Sequence, residues 1–308
     1  MKMNRNDEIS LELNHSMPPK IKTKKRKPVR WGTALFLTIW SAYVLVPFYI
    51  MFNLATKTRH ESTYMPFSWG WKEKFTFEAF STVFEDTGLG ITVLRGFGNT
   101  LLYSVPTVLI GLFIGSMAAY AWAKLKWHGR DFIFKYMMIG MMMPSCVGMT
   151  TRFLMYDTIN WVGTPLPLII PGMFCGIAQI FFIKQYMTGI PDELLDAAKI
   201  DGMNDYGIFF KIILPLSLPA IFTQILFCFI GSYNNYLQPL IYLDDPATYT
   251  LQIALRFHQS AYFDYTAAVM AASFVASIPL VILYIFLQKY ILTGFLVMYF
   301  YSIQPRNI

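Results

Sequence analysis

The polar stretch PDELLDAAKIDGMNDYGIFFKIILPLSLPA, residues 191–220, interrupts an otherwise apolar chain. Its reactive-type side chains include Glu193, Asp196, Lys199 and Asp201. They are strung along a short helix and a turn, without the paired acid and base of a hydrolytic site. No GxxxxGK[ST] phosphate loop occurs anywhere, so any ATP used is bound by another chain. His15, His60, His128 and His258 lie outside the apolar runs, and neither HExxH nor a carboxylate cluster accompanies them. That argues against a membrane-embedded enzyme. Cys146, Cys175 and Cys228 sit inside apolar runs without metal-ligand spacing, and read as small buried hydrophobes.

The local elements follow from the residue types. Pro191 suits a helix's first turn, where its missing N–H is not needed. Asp192 and Glu193 favour the positive end of that helix. Leu194, Leu195 and Ala198 make an apolar face, and Asp196 is spaced to pair with Lys199. Gly202 is placed as a left-handed terminator. Asn204 can cap a second helix, DYGIFFKIIL, which Pro215 and Pro219 break at the membrane surface. Ala197 and Ala198 allow close approach by another surface. The residues alone leave two readings open: a knob for a partner's cleft, or a hairpin that returns the chain to the bilayer.

The surrounding chain is membrane-like. Of 308 residues 55% are hydrophobic and only 14% charged, against about 25% in a soluble domain. A spanning helix needs about 20 apolar residues, and six stretches qualify: 31–53, 98–122, 132–155, 166–186, 217–242 and 268–290. The first is too long and aromatic for a signal-peptide core, so it is retained. Eighteen of the 25 lysines and arginines fall on one side of this arrangement, nine of them in residues 1–30. The asymmetry places both termini in the cytoplasm of a multi-pass cell-membrane protein. The basic segment 1–30 then serves as a topological anchor touching anionic lipid, not a nucleic-acid site. No Asp or Glu lies deep in a span, which disfavours an ion-driven carrier. Prolines at 47, 106, 144, 171 and 279 suit spans that rock between states. Loop 54–97 is external, with Phe77, Phe80 and Phe84 spaced as one face of a short helix. Loop 243–267 is external too, either a solvated connector or a docking surface.

The 191–220 pattern resembles the EAA loop of binding-protein-dependent ABC importer permeases: an acid, two alanines, a following glycine, then I-x-L-P. Here Asp196, Ala197, Ala198 and Gly202 take the first positions, and Ile212, Leu214 and Pro215 the later ones; Asp stands for the usual Glu. Asn99-Thr100, AAYAWAKLKWHGR at 118–130, Pro144, NWVGTPLPLIIP at 160–171 and NNYLQPL at 234–240 look like the MalG-type carbohydrate permeases, in their LplC-like branch. The resemblance covers about residues 30–294.

The resemblance implies an all-α, six-span permease domain over 31–293, with a cytoplasmic coupling loop at 187–216. It implies a transport subunit and not an enzyme, with no cofactor in this chain because ATP and Mg are bound by the partner ATPases. The partners implied are a second homologous permease (a heterodimer), two ATPase subunits, an extracytoplasmic solute-binding lipoprotein, a sugar substrate and membrane lipid. Glu193, Leu194, Asp196, Ala197, Ala198, Asp201, Gly202 and Pro215 would form the coupling element. Gly202 would turn the backbone where a Cβ would clash. Tyr233, Asn234, Asn235 and Tyr236 would line the translocation path, although interhelical hydrogen bonding by the asparagines accounts for them equally. The implied function is the permease of an ATP-driven carbohydrate importer, for an oligosaccharide; the alternative is a secondary active transporter driven by an ion gradient. The apolar tail FLVMYFYSIQPRNI, within 294–308, departs from the family's short polar end.

Overall fold

The computed structural model describes residues 31–86, 90–144 and 147–303, with the backbone course alone from 292 onward. The basic segment 1–30 with His15, Cys146, and residues 304–308 of the tail lie outside the described residues. The chain divides into compact units at Met1–Pro47 and Phe48–Ile308. The first unit holds most of helix α1 (Trp31–Ala55). Within it Phe36 stacks on Trp40 with ring centroids 6.3 Å apart.

The second unit is all helical among the described residues. After α1 come α2 (Arg59–Tyr64), α3 (Glu78–Ser81), α4 (Val93–Lys124), α5 (Arg130–Gly140), α6 (Met149–Thr158), α7 (Leu166–Ile169) and α8 (Ile177–Thr188). Then follow α9 (Glu193–Ile200), α10 (Asp205–Ile208), α11 (Leu214–Tyr233), α12 (Leu237–Tyr242), α13 (Leu251–Ala261) and α14 (Thr266–Ile303). Among the described residues, five stretches are long and apolar enough to cross a membrane: Trp31–Ala55, Val93–Lys124, Leu166–Thr188, Asp205–Tyr233 and Thr266–Ile291.

Several expectations change. The stretch 132–155 is not one helix but two, α5 and α6. Pro144 lies between them and has no N–H to continue the ladder. The stretch 217–242 likewise stops at Tyr233 and resumes as α12. Pro215 and Pro219 do not break the chain at the surface. A π-turn, Phe209–Ile213, precedes Pro215, which then occupies the first turn of α11, where no N–H is required. Phe77, Phe80 and Phe84 do not lie on one helix: Phe77 precedes α3, Phe80 lies within it and packs edge-on to Phe274, and Phe84 ends the 3₁₀ turn Thr82–Phe84. The backbone of the tail continues as helix to Ile303.

Helix α4 is the hub, packing against α8, α11, α13 and the turn Pro171–Phe174. Its small residues explain how. A methyl at Gly111 would stand 2.5 Å from the carbonyl oxygen of Gly172, and one at Gly115 2.5 Å from Cys175 Sγ. The GLFIG run thus lets a neighbouring backbone approach within van der Waals contact, as small-xxx-small pairs do in bilayers. Two cores flank this contact. One gathers Leu112, Ala119, Tyr120, Ile183, Met187, Leu195, Ala198 and Ile213. The other gathers Val83, Val93, Tyr233, Leu251, Ala268 and Ala272 at the opposite end.

Gly111→Ala should therefore lower the unfolding temperature in detergent, by an overpacking cost of about 1–3 kcal/mol. Gly98→Ala, in the same helix with nothing within 4 Å, should be neutral or stabilising. Thermal unfolding of both variants in mild detergent, followed by size-exclusion chromatography, checks the contrast.

Candidate functional site

The α9 end of the bundle is built by short-range rules. Asp192 stands at the N-cap, and Glu193 and Asp196 fill the acidic first turn. Pro191 lies just ahead of the helix instead of inside it. At the other end Gly202 N–H donates to Lys199 O (3.0 Å) and Met203 N–H to Ala198 O (2.9 Å). That pair of bonds with Gly202 at φ +81° is a Schellman cap. Nothing lies within 4 Å of a Cβ built at Gly202. The clash expected there is absent, and the left-handed backbone alone requires glycine. Asn204 caps α10 as expected, its Oδ1 accepting from Gly207 N–H at 2.8 Å. Lys199 lies 3.9 Å from Asp205, in place of the expected pairing with Asp196.

Helix α9 has two faces. Leu195 and Ala198, three apart, are buried in the core beside α4. Ala198 is therefore not available to a partner: the 3.6-residue period turns it inward with Leu195. Glu193, Leu194, Asp196, Ala197, Ile200, Asp201 and Gly202 are exposed, Ile200 by 87%. Pro215 is also exposed, but it lies at the start of α11, outside α9. One further contact fixes α9. The Lys124 ammonium, at the last residue of α4, donates to Asp192 Oδ1 (2.6 Å) and to the Ile190 carbonyl. Its side chain is only 4% exposed, whereas Asp192's is 78% exposed. Sixty-eight residues separate the partners, so no spacing rule reveals the pair.

At the opposite end α4 clasps the segment 243–261. Asn99 Nδ2 donates to the carbonyls of Ala247 (2.8 Å) and Tyr249 (2.9 Å). Tyr103 OH donates to Thr248 O, and Leu251 N–H donates to Thr100 Oγ1. A Cβ at Gly96 would meet Ala254 Cβ at 2.8 Å, so α13 lies directly on α4. Nearby, Lys57 and Glu61 are fully buried with Nζ 3.6 Å from Oε1. Lys57 Nζ donates to Ser68 O and Ser68 Oγ, each at 2.7 Å. Burial pushes the Glu61 carboxyl up, but the N–H groups of Lys72 and Glu73, the Ser68 hydroxyl and Lys57 outweigh it and hold it below the ordinary value. The i, i+4 spacing of Lys57 and Glu61 was the available signal for this knot. Thr63 Oγ1 donates to Asp264 O, and Arg59 lies over the Tyr265 ring, tying the 54–92 loop to the start of α14.

The four residues expected along the path separate. Tyr233 is 1% exposed and its hydroxyl donates to Ala276 O at 2.8 Å, so it is core and joins α11 to α14. Asn234 is exposed and lies 3.4 Å from Gln252 Nε2, and Tyr236 is exposed. Asn235 lines a small cleft of about 30 Å³ with Tyr103, Ser104 and Ser232. A larger cleft of about 330 Å³ lies beside it, lined by Thr107, Gly111, Gly172, Gln179, Cys228 and Ser232. Ser104 and Ser232 hydroxyls, 2.7 Å apart, bridge α4 and α11 between the two. Among the described residues no group of His, Cys, Asp or Glu is arranged to hold a metal ion.

Residues 111–295 match the family of binding-protein-dependent transport system inner membrane components. The chain belongs to this family. It is accordingly a membrane-embedded transport component and not an enzyme. Among the family's curated members, AraQ of Halalkalibacterium halodurans, an arabinooligosaccharides transport system permease protein, is 36% identical over 71% of this chain and 77% of its own length. LplC of Bacillus subtilis is 29% identical over 85% of this chain and 91% of its own. In fold, a crystal structure of a bacterial ABC transporter that imports the acidic polysaccharide alginate matches with TM-score 0.73 at 23% identity, over 94% of this chain and 99% of that one.

His258, in α13, supplies a pH test of the clasped end. It is 1% exposed, its Nε2 lies 3.3 Å from Ala268 O, and its ring lies against Tyr262. Burial pushes its pKa below the ordinary 6.5. A depressed histidine stabilises in full above its unfolded pKa, and that stability is lost as pH falls toward the folded value, because the unfolded state takes the proton first. The unfolding temperature should fall between pH 7 and pH 5, and His258→Phe should flatten that fall.

Proposed function

We propose that this chain is one permease subunit of an ATP-driven importer of oligosaccharide, and that 187–216 is its docking element for a separate ATPase. The observation that carries the reading is the division of α9. Leu195 and Ala198 seat it on the core, while Leu194, Ala197 and Ile200 stand exposed among Glu193, Asp196 and Asp201. A solvated face that keeps an isoleucine 87% exposed beside carboxylates is suited to burial against a partner. Burying such an apolar side chain contributes about 1.5–3 kcal/mol.

The proposed topology has six spans, α5 and α6 together making the third, and both termini cytoplasmic. In it α9 faces the cytoplasm and the clasped segment 243–261 faces outward, toward a solute-binding lipoprotein. A second, homologous permease completes the pathway, giving a heterodimer served by two ATPases that bind ATP and Mg. The sugar-transporting relatives support a carbohydrate substrate, with Asn235, Ser232 and Gln179 as its polar contacts on this subunit.

The test uses the exposed face. Ala197→Arg leaves Leu195 and Ala198 in place, so the chain should reach the membrane in normal amount. It should lose the ATPase on purification in mild detergent, and uptake should fall by about tenfold or more, which corresponds to about 1.4 kcal/mol of lost docking. Mass spectrometry of what accompanies the tagged wild-type chain should find an ATPase, a second permease and a lipid-anchored protein. A chain that purifies alone, with uptake that survives ATP depletion and stops with an ionophore, would mean a secondary transporter instead.

A further inference from the structure

We infer that α4 is the rod that links the ATPase-docking helix to the outward-facing segment 243–261, with Lys124, Asp192 and Asn99 as its positioning residues. The inference rests on the proposed role of α9. Three features of the molecule support it. First, α4 is a single helix of 32 residues, about 48 Å long at 1.5 Å per residue, with Pro106 inside it. It therefore reaches both ends of the bundle as one element.

Second, each end of α4 is fastened by polar bonds and by packing. At one end the Lys124 ammonium holds both the Ile190 carbonyl and the Asp192 carboxylate, gripping the turn before α9 and its N-cap together. Leu195 and Ala198 of α9 share a core with Ala119 and Tyr120 of α4. Hydrogen bonds to a charged donor are about twice as strong as neutral ones. At the other end Asn99, Thr100 and Tyr103 supply four hydrogen bonds to 247–251, and Gly96 lets α13 rest on the helix backbone. A displacement of α9 is thus delivered to the N-terminal turns of α4, where 243–261 is held.

Third, the competing route through α11 is softer. It joins α9 through the Gly202 cap, passes the π-turn Phe209–Ile213, and loses helical structure at Asn234. Its far end reaches α13 through weaker contacts, Gln252 Nε2 to Tyr233 O at 3.3 Å and to Asn234 Oδ1 at 3.4 Å.

The experiment is hydrogen exchange on the purified complex, comprising the full chain with its co-purifying permease and ATPase, reconstituted in nanodiscs. Exchange over 243–261 is compared between the nucleotide-free state and the state trapped with Mg-ATP and vanadate. In the wild type, trapping should change exchange in that segment. Asp192→Ala and Lys124→Met should abolish the change although vanadate trapping still occurs, and Asp192→Glu, which keeps the carboxylate, should retain it. Asn99→Ala should abolish it from the far end. Asp192 is largely exposed, so its substitution leaves the packing intact, and a merely structural role would not couple it to 243–261. If Asp192→Ala keeps the full response, or the wild type shows none, the rod is overturned. If no ATPase co-purifies, the reading of α9 has failed, and that outcome is visible before any exchange is measured.

Discussion

A lysine ammonium that is 4% exposed must find acceptors inside the protein. Leaving such a charge unpaired costs several kcal/mol, more than most single contacts contribute. Lys124 meets that demand with one backbone carbonyl and one carboxylate, both from the segment that opens α9. The pair is lopsided, because Asp192 remains in solvent, so its Coulombic part is modest. Its consequence is geometric. The start of α9 cannot leave the end of α4 without exposing or orphaning the ammonium. The orientation of α9, and so which of its faces is presented outward, depends on that requirement together with the burial of Leu195 and Ala198.

The rest of the bundle is arranged around the same helix. In a bilayer, apolar side chains gain little by leaving lipid, so helices associate through close packing and polar bonds. Helix α4 uses both. Gly111 admits the backbone at Gly172, Gly115 admits the Cys175 side chain, and Ser104 meets Ser232 of α11. Toward its ends it switches to conventional polar chemistry, Asn99 and Thr100 at one and Lys124 at the other. The two clefts open on this same helix, on the side where α8 and α11 approach it. One helix therefore borders the space where a solute would pass and both surfaces where partners would dock.

What was legible in the sequence follows from range. The Gly202 cap, the Asn204 cap and the acidic helix start are set by residues within a turn of one another, and all three appear in the structure. The membrane class and most spans follow from apolar run length. Errors arose where a local signal has two structural outcomes. A proline after an apolar run can end a helix or open a new one, and at Pro215 a preceding π-turn selected the second. An alanine pair marks close approach without saying by whom, and the helical period sent Ala198 inward and Ala197 outward. Tyr233 beside two asparagines suggested a polar path, but its hydroxyl had a carbonyl on α14 within reach. The bonds from Lys124 to Asp192 and from Asn99 to 247–249 join residues far apart in the chain, so tertiary structure alone discloses them.

The placement of charge bears on where the driving energy enters. Among the described residues, the five spans hold no Asp or Glu away from their ends. Among the described residues, buried ionic side chains lie at the two rims: Lys57 with Glu61 at one, and Lys124, bonded to the exposed Asp192, at the other. A protonatable carboxylate within a span is the usual device by which an ion gradient moves a carrier. Here the ionic bonds fasten loops to helix ends and leave the mid-span polar contacts to neutral hydroxyls and amides, Ser104, Ser232 and Gln179. Such contacts bind and guide without titrating. In the proposed importer force would arrive through the rims, and α4 is held by polar bonds at both of them.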